Sequence, residues 1–438
     1  MACLQYLRRP SEERTLWIDA LCINQESIEE RNSQILLMKS VYSTAAKVKD
    51  WLGEPTRGSN EAIAILQDFG RGTYFKDIRL LDKKLGNEHV KHLIKLFERP
   101  WWKRVWTQKE YILAKEVTIH GGDRSVGYEA LIRFSEGLYG FISGWEGELT
   151  GLTSTLIRSA YLRDLYKLHG SHNLSFVITL AEGCFYDCTD LRDSIYGFLG
   201  LAHGQLAEEI MPDYQCSVEK AFHNFAVQLI LSTKCLALLS LTTFKGKVKR
   251  IVPTWVPDWP RLGQIQDDAV RNWQSRVQGL AQLPYFDACG SRPLVFDPMD
   301  DTTVRLSGMC VGKIADISAD AWVAGQLARK TLKLEERWRD FFTRYTNANP
   351  AEDEGSPNWR ILINDIANDF AFHKGKLVGF ESYQAWIHEP RMAGWKTKKA
   401  REFHSAVNVA CAGRRLFVTG HSLVGTGAAE MQDDCVYV

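Results

Sequence analysis

The sequence predicts an α/β fold: a parallel sheet flanked by helices, followed by a mostly helical C-terminal region with a small β portion. Three observations predict it. Short apolar or β-prone runs recur at residues 16–18, 47–52 and 116–120. Segments with helical spacing separate them, the strand–helix–strand order that builds parallel sheets with crossover helices. Beyond residue 123 helical spacing dominates, and extended pieces return only near 304–317 and 415–419.

Leu16-Trp17-Ile18 is a short apolar run ending in Asp19, which predicts a buried strand meeting solvent at its carboxyl end. Ligands of parallel sheets sit beyond such ends. Ser27 stands three residues before Glu30, a capping-box spacing. Ile28, Ile35, Met38, Tyr42 and Ala45 then fall on one face of an amphipathic helix. A second strand at 47–52 is stopped by Gly53-Glu54-Pro55. Helices are predicted at 60–69, 88–97 and, after the Arg99-Pro100 break, 101–114, leading into the strand at 116–120 that Gly121-Gly122-Asp123 closes. Further helices are expected at 152–181, 217–231, 327–345 and 395–409, and a surface loop at 351–357.

The 438 residues carry a formal net charge of +1, so no electrostatic argument favours nucleic acid or an anionic membrane as partner. The longest apolar runs are too short to span a bilayer, and the N-terminus lacks the features of a secretory signal. The ten cysteines are mostly single and lie in apolar segments, which reads as reduced, buried thiols in a cytosolic or nuclear protein, the cytoplasm being the expected location. Cys184 and Cys188 form the one close pair, without the second ligand pair that zinc requires, so no metal is expected. The fourteen tryptophans cluster at 101–106 and 255–259, where core packing is the default for such large side chains.

Three segments carry a resemblance to a known family. They are Leu16-Trp17-Ile18-Asp19-Ala20-Leu21-Cys22-Ile23-Asn24-Gln25, the run from Glu30-Arg31 through Gln34 and Tyr42 to Trp51-Leu52-Gly53, and Arg99-Pro100-Trp101-Trp102 through Arg104, Trp106 and Glu110. They resemble the fungal heterokaryon-incompatibility (HET) domain, whose motif falls here on Trp17, Asp19, Cys22, Asn24, Gln25, Glu30, Arg31 and Trp106. Asp190-Leu191-Arg192-Asp193 with Tyr196–Leu201, Pro212-Asp213-Tyr214, the 253–259 segment and Gly413–Thr419 resemble blocks found after HET domains. Three departures stand out. The family opens with a Tyr-x-Ala-Leu-Ser-Tyr-x-Trp-Gly strand and loop, which this sequence lacks. Lys109 occupies a position where the family usually has Gln, and Asp433 one where it has Gly. Both ends therefore read as cut.

The resemblance implies a HET domain at 1–123 missing its first strand, a helical linker region at 124–300 and a truncated mixed α/β region at 301–438. It implies a heterokaryon-incompatibility effector in non-self recognition and programmed cell death, acting through signalling and assembly with protein partners and itself. The HET domain is in turn distantly similar to TIR domains, some of which cleave NAD, so a TIR-like sheet and NAD as substrate rather than cofactor follow by analogy of fold. An inactive relic is the third alternative.

Glu110 is the candidate catalytic residue. Its helical neighbours Trp106, Thr107, Leu113 and Ala114 include no base, and an apolar flank favours the neutral acid. Such a carboxyl stabilises an oxocarbenium-like ribosyl centre, or else bonds a backbone donor or Arg104 in a structural network. Asp19 binds a ribose hydroxyl or caps the turn through Asn24-Gln25. Arg31 and Arg104 contact phosphate or pair with Glu30 or Asp19. Gly420-His421-Ser422-Leu423-Val424 lacks the second Gly of a nucleophile elbow, and the basic run 245–250 has no interleaved aromatics.

Overall fold

The computed structural model describes residues 2–8, 11, 13–71, 87–134, 158–160, 162–167, 173–203, 209–242, 251–264, 294–308, 310, 312–322, 328–346, 357–363, 379–388, 397–411, 413–428, 431 and 436–437. The predicted loop up to residue 356, the basic run 245–250, the first residues of the helices predicted at 152, 327 and 395, and Asp433 lie outside them. The chain is mixed α/β and divides into two compact units, residues 1–264 with 298–304, and residues 265–297 with 305–438. The expected boundary at 123 falls inside the first unit.

In the first unit, α1 (Ala2–Leu7) and an extended stretch lead to α2 (Asp19–Cys22), a single turn. The strand expected at 16–18 is not formed. Ile18 has extended angles (φ −137°, ψ 118°), but the segment joins no ladder among the described residues, and Leu16 is exposed. Extended backbone becomes a strand only when a neighbour takes its hydrogen bonds.

Helix α3 (Ile28–Thr44) begins where the capping pattern places it, with Ser27 Oγ accepting the Glu30 N–H at 3.2 Å. The Glu30 carboxylate reaches back past Ser27 to the Asn24 N–H at 3.0 Å, tying the helix start to the turn before it. Ser27→Ala should cost about 1 kcal/mol of stability, measured as a fall in the urea midpoint. The apolar face is less buried than its spacing predicts, because Ile28 is exposed and only Ile35 and Tyr42 are buried.

Strand β1 (Val48–Trp51) pairs in parallel with β2 (Val117–Gly121), with Asp50 opposite Ile119. The expected strands at 47–52 and 116–120 thus pair in parallel, and in place of the one expected at 16–18 the chain returns from β2 in an antiparallel hairpin to β3 (Arg124–Gly127). The Gly121-Gly122-Asp123 turn signal marks a hairpin, and its return strand was not legible because its alternation is short and polar. Gly53 closes β1 at φ +114°, a conformation that demands glycine, and Arg99 donates to its carbonyl and to that of Glu54. Helices α4 (Ser59–Gly70) and α5 (Asn87–Phe97) bury Ile63, Leu66, Phe69, Leu93 and Phe97 on the apolar faces their spacing predicts.

The helix expected over 101–114 is broken. Residues Pro100–Lys103 form a 3₁₀ turn, Arg104 is extended (ψ 135°), and α6 (Val105–Leu113) starts after it. The cause lies far along the chain: Arg104 pairs with Asp187 as an isolated parallel bridge, and Val105 N–H donates to the Asp187 carbonyl at 3.0 Å. A short helix, α7 (Asn173–Gly183), precedes this splice, and α8 (Asp193–Tyr196) follows it. The C-terminal carbonyls of α6 are satisfied by the buried Arg163, which donates to Tyr111 O and Ala114 O. Ser217 caps α9 (Val218–Thr233), and Trp255 and Trp259 are buried in the same unit.

In the second unit, the antiparallel sheet is ordered β6 (Val424–Ala428), β5 (Arg414–Thr419), β4 (Gly312–Ile317) and a two-residue β7 (Val436–Tyr437). Trp322, Trp338, Tyr383, Trp386 and Phe403 form its core with helices Ala328–Thr346, Phe380–His388 and Lys398–Cys411. Gly420-His421-Ser422 is the turn between β5 and β6, with Ser422 at φ 61°. A strand–turn–strand, it is not the strand–turn–helix of a nucleophile elbow. Among the described residues no helix is long and apolar enough to cross a membrane.

Candidate functional site

The half-buried face of α3 explains itself at the cavity it borders. Arg31, Gln34, Ile35, Met38 and Tyr42 recur at helical intervals and line a cavity of about 510 Å³ in the first unit. Trp106 and Glu110, one turn apart on α6, line it too, together with Asp19, Ile23 and Gln25 from the α2 turn and Arg104 from the helix break. The fourth wall comes from Asp187, Cys188, Thr189, Asp193 and Tyr214. All four proposed site residues, Asp19, Arg31, Arg104 and Glu110, therefore meet at one cavity.

Glu110 is half-buried at the cavity wall. Burial, then the charge of Asp19, raises its pKa to about 7, while hydrogen bonding with Asp50 and Tyr42 and the charge of Arg104 pull the other way. Asp50 on β1 is buried behind it, with neither oxygen in ordinary hydrogen-bond geometry. Burial and the Glu110 charge hold the Asp50 carboxyl well above the usual carboxylate range. Two carboxyls so close share protons rather than ionise together. Burial also raises the Tyr42 hydroxyl, with Glu110 adding to the effect.

A pH dependence follows with a definite sign. The fold binds the Glu110 proton more tightly than the unfolded chain does, whose reference value is 4.5. Stability from this group is complete below about pH 4.5 and is lost as pH rises through about 7. Urea midpoints between about pH 5 and about pH 8 should fall less steeply in Glu110→Gln than in wild type.

Asp19 begins α2, where its Oδ1 accepts the Ala20 N–H at 2.7 Å and its carbonyl accepts the Gln25 amide at 3.3 Å. It thus shapes the turn while facing the cavity, and it does so from a helix start instead of a strand end. Asn24 Oδ1 accepts from the Glu26 N–H, Trp17 packs edge-on against Tyr42 at 5.8 Å, and the Cys22 thiol is free and exposed. These three motif residues shape the segment without lining the cavity.

The arginines do not form the ion pairs weighed as their alternative. Neither Arg31 nor Arg104 makes a salt bridge to Glu30 or Asp19, and Arg31 stacks on the Tyr214 ring at 4.6 Å. Arg192 covers the same ring at 5.1 Å, held by Asp190 at 2.7 Å and by the Tyr214 and Cys216 carbonyls. Asp193 accepts the Trp106 indole N–H at 2.9 Å and the Tyr214 hydroxyl. Tyr42, Asp50, Asp193 and Tyr214 were not foreseen as site residues. The signal for the last two was present in the Asp-Leu-Arg-Asp and Pro-Asp-Tyr blocks, which carried resemblance but no chemistry.

Cys188 is no nucleophile, because burial and Asp193 push its thiol up to about 11. The buried Cys184 thiol donates to the Ala181 carbonyl. No cluster of metal-ligating side chains occurs among the described residues.

The comparisons with known proteins match the motif. Residues 1–110 match the model of the family described as "Heterokaryon incompatibility protein (HET)". The chain is 26% identical to "Heterokaryon incompatibility protein 6, OR allele" of Neurospora crassa, over 83% of this chain and 63% of the relative. It thus spans less than two thirds of that relative's length. No solved structure matches. The match to the HET domain thus lies in residues 1–110, where its motif residues Asp19, Gln25, Arg31 and Trp106 line one cavity.

Proposed function

We propose that this chain is an effector of heterokaryon incompatibility, acting in non-self recognition and programmed cell death through HET-domain signalling and assembly with protein partners in the cytoplasm. One observation carries the reading: three motif segments far apart in sequence converge on a single cavity, with Asp19, Gln25, Arg31, Arg104, Trp106 and Glu110 on its walls. Motif residues needed only for packing would be scattered through the core. Convergence on a concave surface is the mark of a binding site.

A second reading is favoured by the state of Glu110. In it the cavity takes NAD as substrate and hydrolyses it, the bond from the ribose to nicotinamide breaking as water adds to the ribosyl carbon and releases a proton. Arg31 and Arg104, free of ion pairs with Glu30 and Asp19, hold phosphate, and Asp19 takes a ribose hydroxyl. Glu110, with a pKa of about 7, is substantially ionised near neutrality and stabilises the ribosyl cation as nicotinamide leaves.

Expression of the wild-type and Glu110→Ala chains in a fungal host, with viability and cellular NAD followed together, tests both. Loss of death and of NAD consumption in the variant supports the hydrolase. Death retained in the variant, with NAD unchanged in both strains, supports assembly. A wild-type chain without effect on viability overturns the effector reading.

A further inference from the structure

Lys109 departs from the Gln usual in its family, and its surroundings are those of a functional group. The side chain is fully buried, and its Nζ has no hydrogen-bond partner. The ammonium lies 4.0 Å from the centroid of the Trp106 ring. At the edge of that ring, the indole N–H donates to Asp193, which also accepts from Tyr214.

A cation therefore sits on the electron-rich face of the indole while a carboxylate holds its electron-poor N–H edge. The two contacts reinforce each other, since an anion at the N–H pushes electron density into the ring that the cation faces. Trp106, Asp193 and Tyr214 all line the cavity, whereas Lys109 stands behind them. Room for its stem comes from Gly200, where a Cβ would stand 3.2 Å from Lys109 Cδ.

We propose that Lys109 is a positioning residue of the cavity, fixing the Trp106 indole and through it the Asp193–Tyr214 wall, at a cost in fold stability. The cost follows from burying an ammonium that no hydrogen bond serves. Desolvation lowers its pKa to about 7, against the opposite pull of Asp193 and Glu110. A neutral side chain of the same length would pack here with less penalty, so stability does not account for the lysine. Nor is Lys109 needed to join residues 187–193 to α6, because the backbone splice at Arg104, Val105 and Asp187 already does so.

The proposal takes the cavity as the working site, but its test needs neither ligand nor activity. In the full-length chain labelled with ¹⁵N, the Trp106 indole signal is assigned by its loss in Trp106→Phe. Lys109→Met keeps the aliphatic stem and removes the charge. The variant should melt at or above the wild-type temperature, while its Trp106 indole proton exchanges at least about tenfold faster and shifts upfield. An unchanged shift and exchange rate would overturn the proposal. So would a variant that melts well below wild type, because Lys109 would then be a structural residue.

Discussion

A Glu110→Gln chain is expected to fold at least as well as wild type at about pH 8 and, on the proposal that the cavity cleaves NAD, to lose that cleavage by about 10²- to 10³-fold. The two halves come from one property. An ionised carboxyl at a half-buried position is unfavourable for the fold, and burial with Asp19 nearby is what raises its pKa to about 7. Glutamine removes that charge and retains the shape. In that proposal the same charge meets the developing ribosyl cation, so its removal would strip transition-state stabilisation while leaving the phosphate contacts proposed for Arg31 and Arg104 in place. The loss should therefore fall in kcat more than in KM. NAD turnover by the purified chain, with urea denaturation at the same pH, measures both halves. A less stable Gln variant would refute the electrostatic account of Glu110, and equal turnover would remove it from the chemistry.

Asp193→Ala is expected to destabilise the first unit by about 3 kcal/mol, because buried donors lose their acceptor. Asp193 is 7% exposed and receives the Trp106 indole N–H and the Tyr214 hydroxyl. It is also the larger of the two charges that support the Lys109 ammonium. Its removal leaves a buried cation with less compensation, and Asp193→Asn, which keeps an acceptor, should cost about half as much. Calorimetry should show the transition of the first unit falling by roughly 10 °C in the Ala variant. A change of a degree or less would mean that the indole and the tyrosine are held by packing alone.

Much of the site was legible in the sequence because its residues belong to local motifs. The Ser27–Glu30 spacing predicted the start of α3, and the 3.6-residue period put Ile35, Met38 and Tyr42 on one face; Arg31, expected largely elsewhere on the wheel, lines the same cavity. Trp106 and Glu110, four residues apart on a helix, share a face for the same reason. What the period could not say is that the shared face of α3 borders a cavity. An apolar stripe predicts burial, and here Ile35 and Tyr42 are buried as expected while lining a cavity, and Ile28 is exposed.

The local pattern failed wherever a partner distant in the chain decided the outcome. Leu16-Trp17-Ile18 has the composition of a strand, yet strand formation depends on a neighbour's hydrogen bonds, and none of the described residues supplies them. The helix predicted from residue 101 starts at Val105, where Asp187 accepts the Val105 N–H and donates to the Lys103 carbonyl on either side of Arg104. Asp50 reads as one charge within a short strand, and only the packing of β1 against α6 sets its carboxyl against Glu110.

The sequence by itself determined the family motif, the start of α3, the strands at 48–51 and 117–121, and the four residues from which a site would be built. Tertiary structure alone decided that they share one cavity, that Asp187, Cys188, Thr189, Asp193 and Tyr214 complete its wall, and that a buried lysine stands behind it. The reason is physical. Capping and periodicity act over one or two turns and are written in adjacent residues, whereas burial and the pKa shifts it causes depend on which distant segment excludes water.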